Sequence, residues 1–468
     1  MAKFLIVIRS AIHFSHCSSV IEEISKKNIV KLVFMKDSEI NNYLYKIEDS
    51  NSGKILIQKN KVSKKTQTLI SSKNNIEIID GVHRKDKWNK LLSYLRETLN
   101  TISFIRRGDK SVFFLNQKKY APGIVQLLNK YKITNKIINS KLFFLLLKKI
   151  HNLIPSSIRI KNFINEVNPD VVLVIGANWS SSYNNFSSEI DYIKASKELK
   201  ILNIIQIISW DNLTARGLYH YEPDLMLVWN KNHEEEANKI HNIPLNKIKI
   251  IGSPFMDKWF DEEKEIETKG SFFKKLNLDE KKPLITYLGS SKNISTNESD
   301  FINKIYIYLK KEGVQLIVRP HSANSEQFDH LDKDIKVFPK KGDIPDTEES
   351  KKTMIETIKY SIATAGINTT AMVDSIILKT PSFVIDNKEN INNQQMTPHF
   401  KKLYNDNIFI KYENYSEFSK KIYSLVNKGV PKSDMEEMEE FAESFCRPYG
   451  YNVSAGERTL FEIKKFLK

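Results

Sequence analysis

Five consecutive residues, Val171–Ile175 (VVLVI), follow Pro169-Asp170 with no polar position among them. A strand with one face in water alternates apolar and polar residues, so an unbroken apolar run needs cover on both faces. It belongs inside a parallel sheet with helices packed above and below. The pattern recurs along the chain. Phe4–Ile8, Val30–Met35, Ile204–Ile208, Leu225–Trp229 and Ile248–Ile251 read as strands. Helices are expected around Val20–Ile24, Ser187–Leu199 and His233–His241. A second series follows, with strands Leu284–Leu288, Val314–Val318, Tyr360–Ala363 and Ser382–Ile385 and helices near Phe301–Lys311 and Thr370–Leu378. Residues 40–80 are polar and irregular and predict no element.

At 468 residues the chain is long enough for two domains, each with its own core. The charged stretch Asp261–Lys269 (DEEKEIETK) has no core pattern and marks the boundary. The expected division is an N-terminal domain over 1–265, a C-terminal domain over 266–435 and a helical segment over 436–468, broken at Pro448–Gly450. The expected fold class is α/β, with two doubly wound Rossmann-like halves.

Lys and Arg number 72 against 56 Asp and Glu, a net charge of +16. Nearly all of that excess lies in the helical insertion near 81–165, where 18 basic residues face only Asp86, Glu97 and Asp109. There Trp88, Leu91, Leu92, Leu95, Leu99 and Ile102 recur at helical spacing, and Lys141–Ile150 is a second amphipathic stretch. Two readings stand: a solvated helical surface, or a face for an anionic partner such as nucleic acid or the inner face of a membrane. Nucleic acid is not expected, since Gly-Arg runs, zinc spacings and an aromatic RNA-binding signature are lacking. The longest apolar runs, Leu142–Leu147 and Val171–Ala177, fall far short of the ~20 residues of a membrane span. Phe4–Ile8, closed by Arg9, is shorter than a signal-peptide core of roughly 7–15 residues. Cys17 and Cys446 are the only cysteines, too few for a disulfide framework. The expected location is the cytoplasm.

In doubly wound sheets ligands bind where strands end and helices begin. After Phe4–Ile8 come His13 and His16, imidazoles placed to act as a general base, or residues that merely cap the next helix. After Ile204–Ile208 comes Ser209-Trp210-Asp211-Asn212. Asp211 can accept a hydroxyl proton, Asn212 can hydrogen-bond a sugar and Trp210 can stack on its face; the alternative is a simple Asp-Asn turn. In the second half, Ser290 and Ser291 follow Gly289, while Arg319 and His321 flank Pro320, all suited to phosphate. The strongest signal is Gly366-Ile367-Asn368-Thr369-Thr370, a strand running into a helix start whose free amides and dipole make an anion site. Asp374, a turn on, can reach ribose hydroxyls. His399, in Thr397-Pro398-His399-Phe400, lines the cleft or sits in a solvated loop.

Taken together, Ser209–Thr214 (SWDNLT), Asp224–Asn230 (DLMLVWN), Ile251–Asp257 (IGSPFMD), Gly366–Thr370, Thr397–Phe400 and Arg447-Pro448-Tyr449-Gly450 resemble GT-B-fold glycosyltransferases of bacterial surface-polysaccharide type. That group also includes UDP-N-acetylglucosamine 2-epimerase and CDP-glycerol glycerophosphotransferase. The resemblance runs from about Asn168 to Gly450; before it, only the leading strand and histidine loop match. It implies two Rossmann-like domains facing a cleft, a final helix crossing back to the first domain, and a donor half that holds the nucleotide diphosphate. It further implies a glycan or lipid-linked glycan acceptor, a base at His13 or His16, and no metal or cofactor beyond the nucleotide-sugar co-substrate. One departure stands out: Arg319-Pro320-His321 is followed by Ser322 where the epimerase and glycerophosphotransferase patterns have His-Pro. A metal-dependent transferase of the other major fold would need Asp-x-Asp after an apolar strand. The only such triplet, Asp332-Lys333-Asp334, lies in a polar loop.

Overall fold

A computed structural model of the chain describes residues 1–36, 46–48, 55–57, 75–130, 136–178, 188–260, 266–292, 294–295, 297–343, 345, 347–385, 393–394 and 396–467. It divides into two compact units. One comprises Met1–Asp109, Phe113–Asp257 and Arg447–Lys468; the other comprises Lys110–Val112 and Lys258–Cys446.

The first unit holds strands β1 (Lys3–Ile8), β2 (Ile29–Phe34), β3 (Lys46–Glu48), β4 (Ile55–Ile57), β5 (Ile76–Ile78), β6 (Val171–Ile175), β7 (Leu202–Gln206), β8 (Leu225–Val228) and β9 (Ile248–Ile250). Seven of them form one parallel sheet in the order β5-β2-β1-β6-β7-β8-β9, and β3 and β4 pair antiparallel. All five residues of β6 are buried, as an unbroken apolar run demands. β3, β4 and β5 lie in the stretch where no element was expected; three residues are too few to show a period.

The helical insertion packs on itself through the residues its period selects. Leu92, Leu95, Leu99 and Ile102 of the helix Asn89–Arg106 are buried. Two of its basic residues are core groups. Arg96 donates to both oxygens of Asp191 at 3.0 and 2.9 Å, and Arg84 donates to the same carboxylate at 3.2 Å; all three side chains are fully buried. The positive charge of this zone is therefore not all on its surface.

The terminal segment joins the first unit at a boundary later than expected. Asp257 accepts from the amide of Ala455 at 3.0 Å and from Arg447 Nε at 3.2 Å. The helix Ala455–Lys464 then lies along Ser18–Ser25. Gly456 permits this approach, since a Cβ there would stand 2.4 Å from the Ser19 carbonyl oxygen. Residues 436–446, expected to return with the terminus, instead belong to the helix Lys432–Cys446, which packs on Thr370–Ile377 within the second unit.

The second unit has β10 (Leu284–Leu288), β11 (Gln315–Arg319), β12 (Lys336–Val337), β13 (Ala363–Gly366), β14 (Ser382–Ile385) and β15 (Ile410–Tyr412), parallel in the order β12-β11-β10-β13-β14-β15. The strand expected at Tyr360–Ala363 runs three residues later, because Tyr360 closes the helix Glu348–Lys359. Among the described residues no helix is long and apolar enough to cross a membrane.

Candidate functional site

Strand order locates the ligand end of the second sheet. From β10 the chain winds outward through β11 to β12, then returns to β13 on the opposite side of β10. The crevice between β10 and β13 is the switch point at which open α/β sheets bind ligands. Leu288 pairs with Arg319 on one side and Gly366 on the other, so three loops leave the sheet at one level. A Cβ on Gly366 would lie 3.0 Å from both the Leu288 carbonyl oxygen and Met372 Sδ. This glycine ends a strand and lets it pack tightly; it does not form the turn expected of it.

The helix Thr370–Ile377 starts directly after this point. Thr369 is its N-cap, extended at φ −148° and ψ 149°, and its side chain makes no capping bond. Thr369 and Thr370 are both half-buried. The Met372 amide closes the first turn on the Thr369 carbonyl at 3.1 Å; the amides ahead of it precede the helical ladder, and with the dipole such a helix start favours an anion. Asn368 is not the cap. Its amide donates to the Asn393 carbonyl and to Thr397 Oγ1, while Gln394 Nε2 donates to the Ile367 carbonyl at 2.9 Å. The side-chain Nδ2 of Asn368 therefore anchors the loop.

Several expected ligand contacts are spent inside the protein. The amide of Ser290 donates to Glu298 Oε1 at 3.0 Å, and the residue is fully buried. Arg319 is 4% exposed. It pairs with Asp343 at 2.6 Å and reaches Thr353 and Thr357, so it ties β11 to the helix Glu348–Lys359 rather than meeting phosphate. Asp374 accepts from Trp259 Nε1 at 2.8 Å; burial pushes its carboxyl up to about 7. It locks the segment before Lys269 onto the helix, and its burial leaves little of it open to a ribose. His399 is buried in the first turn of Pro398–Asn405. Ser291 and His321 remain half-buried at the crevice. Nδ1 of His321 accepts from the Ala323 amide at 3.1 Å, so the neutral ring carries its proton on Nε2 and is a donor.

Glu298 escaped the sequence reading. It accepts from Tyr287 Oη at 2.6 Å and from the Ser290 amide, and burial raises its carboxyl to about 7. The available signal was Asn297-Glu298-Ser299-Asp300 ahead of an apolar-periodic helix, a start signal.

The first unit has the same logic. Its chain winds outward from β1 to β2 and β5 and returns to β6, so β1/β6 is its switch point. Ala11–His16 forms a short 3-10 helix there, with no side-chain cap. His16 Nδ1 lies 3.3 Å from the Ile208 carbonyl oxygen, and its ring stacks on Phe255 at 4.3 Å. The proton belongs on Nδ1, which leaves Nε2 as an acceptor. His13 is held near pKa 3 by burial and then by the positive groups His16, Arg9, Arg216 and Lys36. It is neutral at pH 7 and a weak base.

Trp210 is buried and presents no open face, which removes the stacking role expected of it. Asn212 is fully buried, with Nδ2 donating to Asn178 at 2.6 Å and Oδ1 accepting from Ile208 N at 3.1 Å and Tyr219 Oη at 2.8 Å. Its hydrogen bonds hold the β6 and β7 loops together and leave nothing for a sugar. Asp211 is half-buried and accepts from Ser209 Oγ.

The two units are expected to respond oppositely to pH. In the first, burial depresses His13, His151, His220 and His241, so the unfolded chain binds more protons below the ordinary histidine pKa. Its stability should fall as pH drops from 6.5 toward 3. In the second, raised Glu298 and Asp374 bind protons more tightly when folded, so stability should fall as pH rises from about 4.5 to 7. Hydrogen exchange resolved by unit between pH 4.5 and 6.5 measures both slopes; parallel slopes would contradict this assignment.

No family model and no curated protein matches the chain. Solved structures do. A glycosyltransferase from Rickettsia africae is 11% identical with a TM-score of 0.51, over 100% of this chain and 99% of that one. A putative UDP-N-acetylglucosamine 2-epimerase from Listeria monocytogenes is 11% identical at 0.51, over 100% and 96%. The UDP-GlcNAc 2-epimerase of Neisseria meningitidis, bound to UDP-GlcNAc, is 10% identical at 0.50, over 100% of both chains. The chain has the fold of two Rossmann-like domains, of GT-B type, that these enzymes share.

Proposed function

We propose that the chain is a glycosyltransferase, moving a sugar from a nucleotide-sugar donor to a hydroxyl of a surface-glycan acceptor. The acceptor includes lipid-linked glycan at the anionic inner face of the cell membrane, which places the enzyme in the cytoplasm. One observation carries this reading: the second unit's switch point opens onto the start of Thr370–Ile377, where the N-cap side chain supplies no bond. As the bond between the anomeric carbon and the diphosphate oxygen breaks, negative charge collects on the leaving group. The first-turn amides, Ser291 and the Nε2–H of His321 are donors suited to that charge. On the first unit, Nε2 of His16 takes the proton of the attacking hydroxyl, and Asp211 is the second candidate for that role.

A second reading has specific support, since two of the three structures above are a UDP-GlcNAc 2-epimerase and a putative one. A CDP-glycerol-type glycerophosphotransferase would use the same scaffold with another donor. A thermal-shift panel of UDP, GDP, CDP, CMP and TDP sugars is expected to single out one nucleotide. Ligand at 100 times its Kd stabilises by about 2.7 kcal/mol. Product analysis without acceptor then separates the readings. A transferase leaves the donor's sugar configuration unchanged, whereas turnover to an epimer would overturn the proposal.

A further inference from the structure

The helix Lys141–Leu153, capped by Ser140, has an apolar side that stands exposed. Phe144 and His151, two turns apart, are buried on its inner face. Phe144 packs with Leu99, Ile102, Ile138 and Leu218, and His151 accepts from Arg96 Nε at 3.2 Å. At about 100° per residue, Leu142, Leu146 and Leu153 fall within about 40° of one another on the far side. They are 80%, 53% and 73% exposed. Leu145 and Ile150 flank them, and Ile158 stands 71% exposed at the start of the next helix. A surface helix ordinarily turns polar residues to water.

We propose that this leucine face, with its lysines, beds into an anionic lipid surface. Charge selects the occupant. Lys141 and Lys149 are exposed on the same helix, within a zone that carries 18 basic and 3 acidic residues. A second copy of the chain would bring like charges together, which opposes association. An anionic bilayer meets both features at once. Leucines enter the boundary between headgroups and acyl chains, while the lysine stems lie along them with their ammonium groups among the phosphates. The inference deepens the proposed lipid-linked acceptor and rests on that reading for its purpose only; exposure and charge carry it.

The test is co-sedimentation of the full chain with vesicles of phosphatidylcholine alone and of phosphatidylcholine with phosphatidylglycerol. Binding to the anionic vesicles is expected to be about tenfold or more the tighter, and to weaken with salt. The variant Leu142→Glu/Leu146→Glu/Leu153→Glu is expected to lose about a hundredfold or more, and Lys141→Glu/Lys149→Glu about tenfold. The nucleotide-sugar thermal shift, read on the same variants, is expected to be unchanged. Equal binding to neutral vesicles, or triple-variant binding equal to the wild type, would overturn the inference. So would a wild-type dimer that the triple variant converts to monomer. Vesicle binding without any nucleotide response would instead sink the proposed function and leave this inference standing.

Discussion

His16→Asn is expected to leave the chain folded and to lower sugar transfer by about 10²–10⁴-fold in kcat. Asparagine keeps a donor close to where Nδ1 meets the Ile208 carbonyl, so the link between the first loop and the end of β7 survives. What it lacks is Nε2. The complementary variant, His16→Gln, keeps an acceptor near Nε2 and loses the anchor. Its loss is expected to appear in stability as well as in rate. His13 offers no substitute. Burial and the cations around it hold its imidazole near pKa 3, so it accepts a hydroxyl proton poorly. His13→Ala is therefore expected to cost less rate than His16→Asn. Initial rates for the three variants, measured with the donor found in the thermal-shift panel, decide the matter. Wild-type turnover in His16→Asn would remove this residue from the chemistry and leave Asp211.

Asp191→Ala is expected to destabilise the first unit by about 3–5 kcal/mol, the usual consequence of leaving buried charge uncompensated. Two guanidinium groups depend on this carboxylate. Arg96 grips it bidentately, Arg84 bonds one oxygen, and none of the three side chains sees water. Those neighbours, Arg96 foremost, hold Asp191 below the usual carboxylate range against the opposing effect of burial. The network joins the residues after β5, the helix Asn89–Arg106 and the helix Glu189–Glu198, so it fastens the basic insertion to the sheet. Urea unfolding gives the value directly. Asp191→Asn, which keeps one oxygen, should fall between Ala and wild type. A loss within about 1 kcal/mol for Asp191→Ala would mean that water reaches the arginines.

Much of the sheet architecture was legible because a continuous apolar run has one physical solution. Val171–Ile175 and Leu225–Val228 read as buried parallel strands, and they are. The strand Ala363–Gly366 was misplaced by three residues because Ala-Thr-Ala-Gly carries almost no bulk. Its glycine is dictated by the Leu288 carbonyl across the sheet, a neighbour 78 positions away in sequence. The same limit governed the side chains around the site. Arg319, Asp374 and Asn212 have residue types that bind ligands, and they stand close to the strand ends where ligands bind. Their partners Asp343, Trp259 and Asn178 come from other parts of the chain and convert them into structural groups. Spacing reports what a side chain can do; only packing reports whether its hydrogen bonds are already used. Glu298 was missed for the converse reason, since a lone glutamate at a helix start reads as a solvated cap until Tyr287 and Ser290 close over it.

The central claim is that backbone amides at the start of Thr370–Ile377 hold the donor's diphosphate. Thr370→Pro tests it most directly. The position is the first of the helix, and Thr369 before it is already extended, as the residue preceding proline must be. The variant deletes one amide hydrogen and keeps the helix; Thr370→Ala serves as the control for the lost hydroxyl. Calorimetric titration with the nucleoside diphosphate of the preferred donor is expected to show Thr370→Pro about tenfold or more weaker than Thr370→Ala, a charge-assisted hydrogen bond being worth about 1.5–3 kcal/mol. Equal affinities in the two variants would contradict the claim.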